Sequence, residues 1–421
     1  MSNASPGLWR QSNFVKVLAG ETVSDTGSRI GGLALPLAAA LTLQATPAQM
    51  AALRAAEYLP RVLVGLVAGV WIDRVRRRPV LIVSNLVRAA LLVLVAIAAA
   101  LGLLRLELLL VVGIALAALE MLFSTTLAAY LPTLVPRRLL LQANSARATS
   151  DAATEVGGQT AAGVLIQVLG VPLAVGIDGA SFLASALGIA LVRAPEPTPP
   201  PRAERRRLDA ELREGMRTLV GQPILRAFLA TAVTANFSYS VIMAIYVLYL
   251  TQELALSPAA IGIVFGLGGG SGVLLGSAAA VRCSQRFGLG RTLVAAHCLF
   301  GIFGILLALA VVWPRLAGPL VFSAEFAQLS VNAVYMVNRV SVEQAVTPPR
   351  LQGRVQSGQR VAHALSGTLG IVVGGALGEW LGLSAAITIG VGGGLFSFVW
   401  LLRSPVRHLS ALPAYVDHHR C

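Results

Sequence analysis

The sequence predicts an all-α membrane protein: twelve transmembrane helices arranged as two six-helix repeats. Three observations carry that prediction. Apolar runs of roughly 20 residues, the length needed to span the hydrocarbon core, recur along nearly the whole chain. Hydrophobic residues make up 56% of the 421 residues and charged residues only 12%, a balance that a soluble fold has no way to bury. Finally, the chain aligns with itself, without gaps, when shifted by 212 positions.

Apolar runs bounded by charge and turn signals place the spans of the first half at 13–43, 47–72, 79–103, 107–134, 140–168 and 172–193. Span 1 contains "SDTGSRIGGLALPLAAALTL", with Asp25 and Arg29 one turn apart and able to pair. Spans 2 and 3 flank the charged loop "GVWIDRVRRRP"; span 3 carries Arg88 and span 4 carries Glu120, deep and unaccompanied. Span 5 holds Arg147, Asp151 and Glu155 at four-residue intervals, one stripe that must face protein or water. Arg147 and Asp151 can neutralise each other there, which leaves Glu155 without a local partner. Span 6 contributes Asp178, read as a packing residue.

The second half places spans at 224–251, 257–281, 290–313, 317–345, 355–380 and 384–403. Span 7 offers Asn236, Tyr239, Tyr246 and Tyr249, and span 10 offers Glu325, Asn332, Tyr335, Met336, Asn338, Arg339 and Glu343. Aromatics with polar tips give contact area without demanding one hydrogen-bond pattern, so Asn236 and Tyr239 are candidate cavity residues, while Tyr249 and Trp9 read as an interfacial belt. Span 8 carries "GLGGGSGVLLG" and span 11 "GIVVGG", both small-residue faces. His297 and His363 read as packing residues.

Between the halves lies the one long polar segment, "APEPTPPPRAERRRLDAELREGMRTLVGQP". Its prolines predict an extended linker, and "ERRRLDAELREGMRTLV" an amphipathic helix on the membrane surface. The expected division is therefore a bundle at 1–193, a linker at 194–222, a second bundle at 223–403 and a tail at 404–421.

The net charge of +14 excludes nothing until the cations are located. Lys16 is the single lysine among 33 cations, and 20 of the 33 fall in the linker, the two termini and the junctions at 73–78, 136–138, 282–291 and 347–354. The opposite junctions hold only Arg105 and Arg315, so the charge follows the positive-inside rule. That orients the chain in a bacterial-type cytoplasmic membrane with both termini inside, and leaves no soluble basic face for nucleic acid. Cys283, Cys298 and Cys421 are scattered, and the tail "DHHRC" reads as a disordered terminus, so neither a disulfide framework nor a metal site is expected. The N-terminus lacks the pattern of a removable signal peptide.

The 212-residue shift aligns Thr22 with Thr234, Arg74 with Arg286, Leu81 with Leu293, Pro136 with Pro348 and Leu139 with Leu351. It also aligns Ser145 with Ser357, Gly158 with Gly370, Gly163 with Gly375, Gly170 with Gly382 and Ile177 with Ile389. A duplicated six-helix unit with a substrate path between the copies is a transporter architecture.

The loop at 69–79 resembles the signature loop of the major facilitator superfamily, roughly Gly-x-x-x-Asp-Arg-x-Gly-Arg-Arg. Gly69, Asp73, Arg74, Arg77 and Arg78 match, while Arg76 stands where glycine is usual. The resemblance implies a cytoplasmic latch, with Asp73 accepting hydrogen bonds at a neighbouring helix end. "LPTLVPRRLLLQANSARATSDAATEVGGQTAAGVLI", "VGIDGASFLASALGIALVR" and the span 1 stretch resemble the macrolide-efflux and siderophore-exporter branch of that superfamily. "GGQTAAG" in span 5 is similar to the superfamily's antiporter motif with Gln159 in place of proline and Ala162 in place of glycine, so Gly158, Gly163, Gly370 and Gly375 are read as packing positions.

An ionisable residue at bilayer depth invites a functional explanation. The resemblance implies a monomeric, proton-coupled exporter of macrolide-like drugs or other hydrophobic small molecules, with Asp25, Glu120 and Glu155 as proton-coupling candidates. A dedicated siderophore or metabolite exporter is the alternative, and an anionic ligand there would need Arg29 or Arg88 unpaired. "GLGGGSG" lacks the Gly-Lys-Ser/Thr ending of an ATP site, and no nucleophile elbow or His/Glu zinc pair is present, so neither an enzyme nor a cofactor is expected.

Overall fold

The computed structural model describes residues 7–72, 74–193 and 208–412. Among these residues the secondary structure is helical and no strand forms. Hydrocarbon offers no partner to a backbone N–H or C=O, and a helix satisfies both within one segment. In the first half α1 runs Ser12–Leu37 and continues into a π turn at Ala38–Thr42; α2 is Pro47–Ile72, α3 Arg77–Ala100 and α4 Leu106–Leu134. The run Leu140–Ala190 is broken at Gly170 (φ 78°, ψ 168°) into α5 (140–169) and α6 (171–190). In the second half α7 is Pro223–Leu248, α8 Pro258–Phe287 with a π segment at Val264–Gly270, and α9 Leu289–Leu309. Then come α10 (Ala317–Val346), α11 (Gln352–Leu381) and α12 (Leu383–Phe396).

Nine helical stretches among the described residues are long and apolar enough to cross a membrane. One of them, Arg137–Ala190, counts as two crossings because of the break at Gly170. Helices α1 and α2 are 26 residues each, about 39 Å at 1.5 Å per residue, and long enough to cross despite their charges. The fold is thus the expected all-α one with twelve crossings.

The repeat seen in the sequence is also a repeat of local structure. Gly170 and Gly382 hold the same left-handed conformation, φ 78° and 85°, at the hinge between helices five and six of each half. Pro136 and Pro348 each open a single 3-10 turn, closed by Leu139 N–H on Pro136 C=O and by Leu351 N–H on Pro348 C=O, both at 2.8 Å. Leu81 and Leu293, equivalent by the same shift, are both fully buried in apolar knots near the starts of α3 and α9. A buried polar tie repeats as well. Asn85 Nδ2 donates to Ser185 Oγ at 2.9 Å between α3 and α6, and His297 Nε2 meets Ser397 Oγ at 2.8 Å, 212 positions later in each partner.

The chain divides into two compact units. Within the described residues, the first contains α1, the rest of α2 from residue 52, α3 to α6, and residues 257–266 at the start of α8. The second contains residues 46–51 at the start of α2, the linker helix Leu208–Gly221, and α7 to α12 apart from the start of α8.

The linker helix departs from expectation. Its apolar residues Met216 and Leu219 pack against Leu225 and Val355, so protein covers the face that the sequence assigned to the membrane surface. Close backbone approach permits this: a Cβ on Gly215 would lie 2.2 Å from the Arg354 carbonyl oxygen. Glu214 pairs with Arg354 beside it. An amphipathic pattern shows that one face is buried, not what buries it.

Candidate functional site

The first unit concentrates its charge on the facing sides of α1 and α5. Residues 21, 25 and 29 form one stripe of α1, and residues 147, 151 and 155 one stripe of α5, because four-residue spacing keeps side chains on one face. The two helices meet in register and build a three-rung ladder. On the first rung Arg147 grips Glu21 with two bonds, Nη2 to Oε1 at 2.6 Å and Nε to Oε2 at 3.1 Å. On the third, Arg29 Nη1 meets Glu155 Oε2 at 2.6 Å. The middle rung sets Asp25 against Asp151, its strongest charge neighbour. Among the described residues neither aspartate takes an ion-pair partner within 4 Å. Thr22 and Ser150 tie the helices between rungs with a hydroxyl pair at 2.6 Å.

This geometry corrects four sequence expectations. Arg29 reaches across to Glu155 instead of pairing with Asp25, and Arg147 takes Glu21 instead of Asp151, so Glu155 has a partner after all. Glu120 also has one: Arg61 Nη2 lies 2.7 Å from its Oε2, with both side chains about half exposed. For Arg29 and Arg147 the sequence pointed to a neighbour on the same helix, and for Glu155 and Glu120 to none, whereas helix packing supplied a partner from another helix. Glu21, only 6% exposed, escaped notice, although it completes the same four-residue stripe as Asp25 and Arg29.

Arg88 is 6% exposed, and its guanidinium packs 3.9 Å from the Phe182 ring centre rather than pairing with an acid, a cation–π seat. Glu120, Asp178 and Asp25 lie within its electrostatic reach. Asp178 is buried over Gly31, where a Cβ would come within 2.0 Å of its Oδ2, which fits the packing role expected of it. The loop arginines work inside the first unit. Arg77 donates to the Ala129 carbonyl at 3.0 Å, and Arg78 donates to the Ile189 and Ala190 carbonyls at 3.3 and 2.6 Å, capping the C-terminus of α6. Arg74 is exposed, Gly69 lies in α2, and Asp73 falls outside the described residues.

At Gly158, Gly163, Gly370 and Gly375 a Cβ would crowd a neighbouring helix. A Cβ on Gly158 would press on the Arg29 stem at 3.1 Å, so this glycine leaves room for Arg29 to reach Glu155. Gly163 meets Gly262 backbone, Gly370 meets the Phe237 carbonyl, and Gly375 meets Ala51.

In the second unit Asn236 is drawn out of the cavity role assigned to it: its Nδ2 donates to His363 C=O and Ser366 Oγ, both at 2.9 Å, and ties α7 to α11. Tyr249 is no belt residue either, since it is fully buried with its hydroxyl on the Leu307 carbonyl at 2.6 Å. Tyr246 and Tyr335 are buried too. Tyr239 and Glu325 line a cavity of about 30 Å³, with Glu325 facing the Tyr246 hydroxyl. Two or three waters fill such a space, at ~10–15 Å³ each. Asn332 is half-buried on α10, and Arg339 pairs with Glu343 at 2.7 Å. Among the described residues no group of three metal-ligating side chains comes together.

The sequence model of the family described as Major Facilitator Superfamily matches this chain twice, over residues 17–240 and 228–417. An uncharacterized MFS-type transporter of Bacillus subtilis (strain 168), YfiS, is 26% identical over 400 residues, which cover 91% of each protein. Among solved structures, a bacterial homologue of the iron transporter ferroportin in its inward-facing state superposes with a TM-score of 0.72 at 17% identity, covering 94% of this chain and 99% of that one. The nucleoside transporter NupG gives 0.73 at 12% identity, covering 93% and 99%. At such identities the likeness speaks for the fold alone. The two family matches and the twelve-crossing fold make this chain a member of the major facilitator superfamily, a multi-pass membrane carrier of small molecules and not an enzyme.

Proposed function

We propose that this carrier is a proton-coupled secondary exporter of hydrophobic or amphipathic small molecules, macrolide-like drugs among them. It works by alternating access as a monomer in the bacterial cytoplasmic membrane, with both termini inside. The observation that supports this reading is the middle rung of the α1–α5 ladder. Glu21 and Glu155 each have an arginine, whereas Asp25 and Asp151 face each other with none between them. The ladder therefore carries four acids against two bases, and the acid–acid rung is where an added proton reduces repulsion between the helices. Protonation draws α1 and α5 together and proton release loosens them, which gives the ion a grip on helix packing. Asp25 is the primary proton-linked residue, with Asp151 as its counterpart. Glu155 and Glu120 serve through their arginine partners, and the 69–78 loop acts as a latch.

An anionic cargo, as in dedicated siderophore export, is less well served. Arg29 is engaged by Glu155 and Arg88 is covered by Phe182, so neither presents a free cation.

Proteoliposomes holding the purified protein test the reading with erythromycin as probe. A pH gradient drives erythromycin movement in the wild type, and erythromycin addition evokes proton flux. Asp25→Asn and Asp151→Asn each abolish the coupled flux. Erythromycin transport that continues unchanged after a protonophore collapses the gradient refutes proton coupling.

A further inference from the structure

A groove in the second unit, between the C-terminal half of α10 and the first turns of α11, has none of the roles assigned so far. Its volume is about 260 Å³. That is some twentyfold the ~10–15 Å³ that one water needs, so it admits a small molecule where the Glu325 cavity admits only water. From the groove's chemistry we propose that it is a binding site for a small, uncharged, polyhydroxylated ligand.

Three features select that class. First, the charges in the wall satisfy each other. Arg339, 5% exposed, places Nε 2.7 Å from Glu343 Oε1, and Gln359 Nε2 donates to the same oxygen at 2.9 Å. A ligand bringing net charge would have to break that pair, whereas a neutral one leaves it whole. Second, the rest of the polar wall is four amides and one hydroxyl. Gln344, Gln352 and Gln356 join Gln359, and each amide offers both donors and an acceptor. Hydroxyl groups, which also donate and accept, match such a wall in many orientations. Gln356 is exposed and makes no hydrogen bond with another described residue. Thr347, 2% exposed, borders the groove with a hydroxyl that finds no partner, a buried group for which a ligand hydroxyl supplies one. Third, no aromatic side chain among the described residues lines the groove, so its wall offers no stacking partner to a nucleobase or a planar drug.

Radiolabelled sucrose is the probe, with inosine and benzoate as comparators, and binding is read at equilibrium on the full-length protein in lipid nanodiscs free of sugar detergents. Saturable sucrose binding is expected, weakened about threefold to tenfold by Gln356→Leu and by Thr347→Val, each removing one hydrogen-bonding group. Gln356 is exposed, so its variant melts at the wild-type temperature and separates a site effect from a folding effect. The proposal is overturned by absence of saturable sucrose binding, by binding that both variants leave unchanged, or by inosine or benzoate binding more tightly than sucrose. Because the measurement uses no gradient, its failure leaves proton coupling standing, and failure of proton coupling leaves the site standing.

Discussion

Replacing Glu21 with glutamine tests whether the α1–α5 ladder holds its helices by charge. At 2.6 Å the Glu21–Arg147 pair has a Coulomb attraction of about 6 kcal/mol at an effective dielectric of about 20, before desolvation is charged against it. Breaking a fully buried pair from one side costs roughly 3–5 kcal/mol because the remaining charge is stranded. Here the side chain of Glu21 is 8% exposed but that of Arg147 24%, and Asp151 stands one turn from Arg147, so the stranding is partial. Glu21→Gln should therefore cost about 2–3 kcal/mol. Glu155→Gln breaks a pair that is 35% and 37% exposed, which places it among solvated pairs at ~0.2–1 kcal/mol. For a unit of this size ~1 kcal/mol moves the midpoint by roughly 2–4 °C, so Glu21→Gln should lower it by about 4–12 °C and Glu155→Gln by less than about 4 °C. Thermal unfolding followed by the fluorescence of the five tryptophans reads both. Adding Arg147→Gln to Glu21→Gln should recover at least about 1 kcal/mol relative to the sum of the single changes, since the stranded charge is gone. Equal losses for the two glutamate variants, or strict additivity in the double variant, refute the argument.

Two further outcomes follow from the repeat. Ser185→Ala and Ser397→Ala each strip the partner from a buried group, Asn85 in one half and His297 in the other. Each should cost ~1–3 kcal/mol in the same melting assay, and a loss confined to one half contradicts their equivalence. Gly170→Ala and Gly382→Ala place a Cβ on left-handed backbone and should each cost roughly 1–2 kcal/mol. Gly353→Ala, in a right-handed helix with open space around it, should be neutral or stabilising. Matching losses at Gly353 and Gly170 would show that side-chain volume, not backbone conformation, sets the cost.

Much of this protein is legible in one dimension because the bilayer simplifies its problem. Every crossing must be a helix of a minimum length, so Leu-, Val- and Ala-rich runs locate twelve of them, and the 212-residue shift marks a duplication that reappears as matching hinges at Gly170 and Gly382. Spacing along one helix was equally readable: the 147, 151, 155 stripe does lie on a single face. Its partners were not. Arg29 and Asp25 sit one turn apart in sequence, yet the guanidinium crosses to Glu155, because the side chain goes to the best-placed acid and helix packing alone decides which that is.

Composition, periodicity and charge placement by themselves determined that this chain crosses a membrane as two related helical bundles, since burial of apolar runs and satisfaction of backbone hydrogen bonds depend only on local sequence. Tertiary structure decided which acids are paired, that Asp25 and Asp151 stand together on a rung without a base, that Asn236 and Tyr249 are helix ties, and that α10 and α11 leave a groove. Those outcomes depend on side chains distant in sequence meeting at distances of about 3 Å, and such distances are fixed by how helices seat against one another.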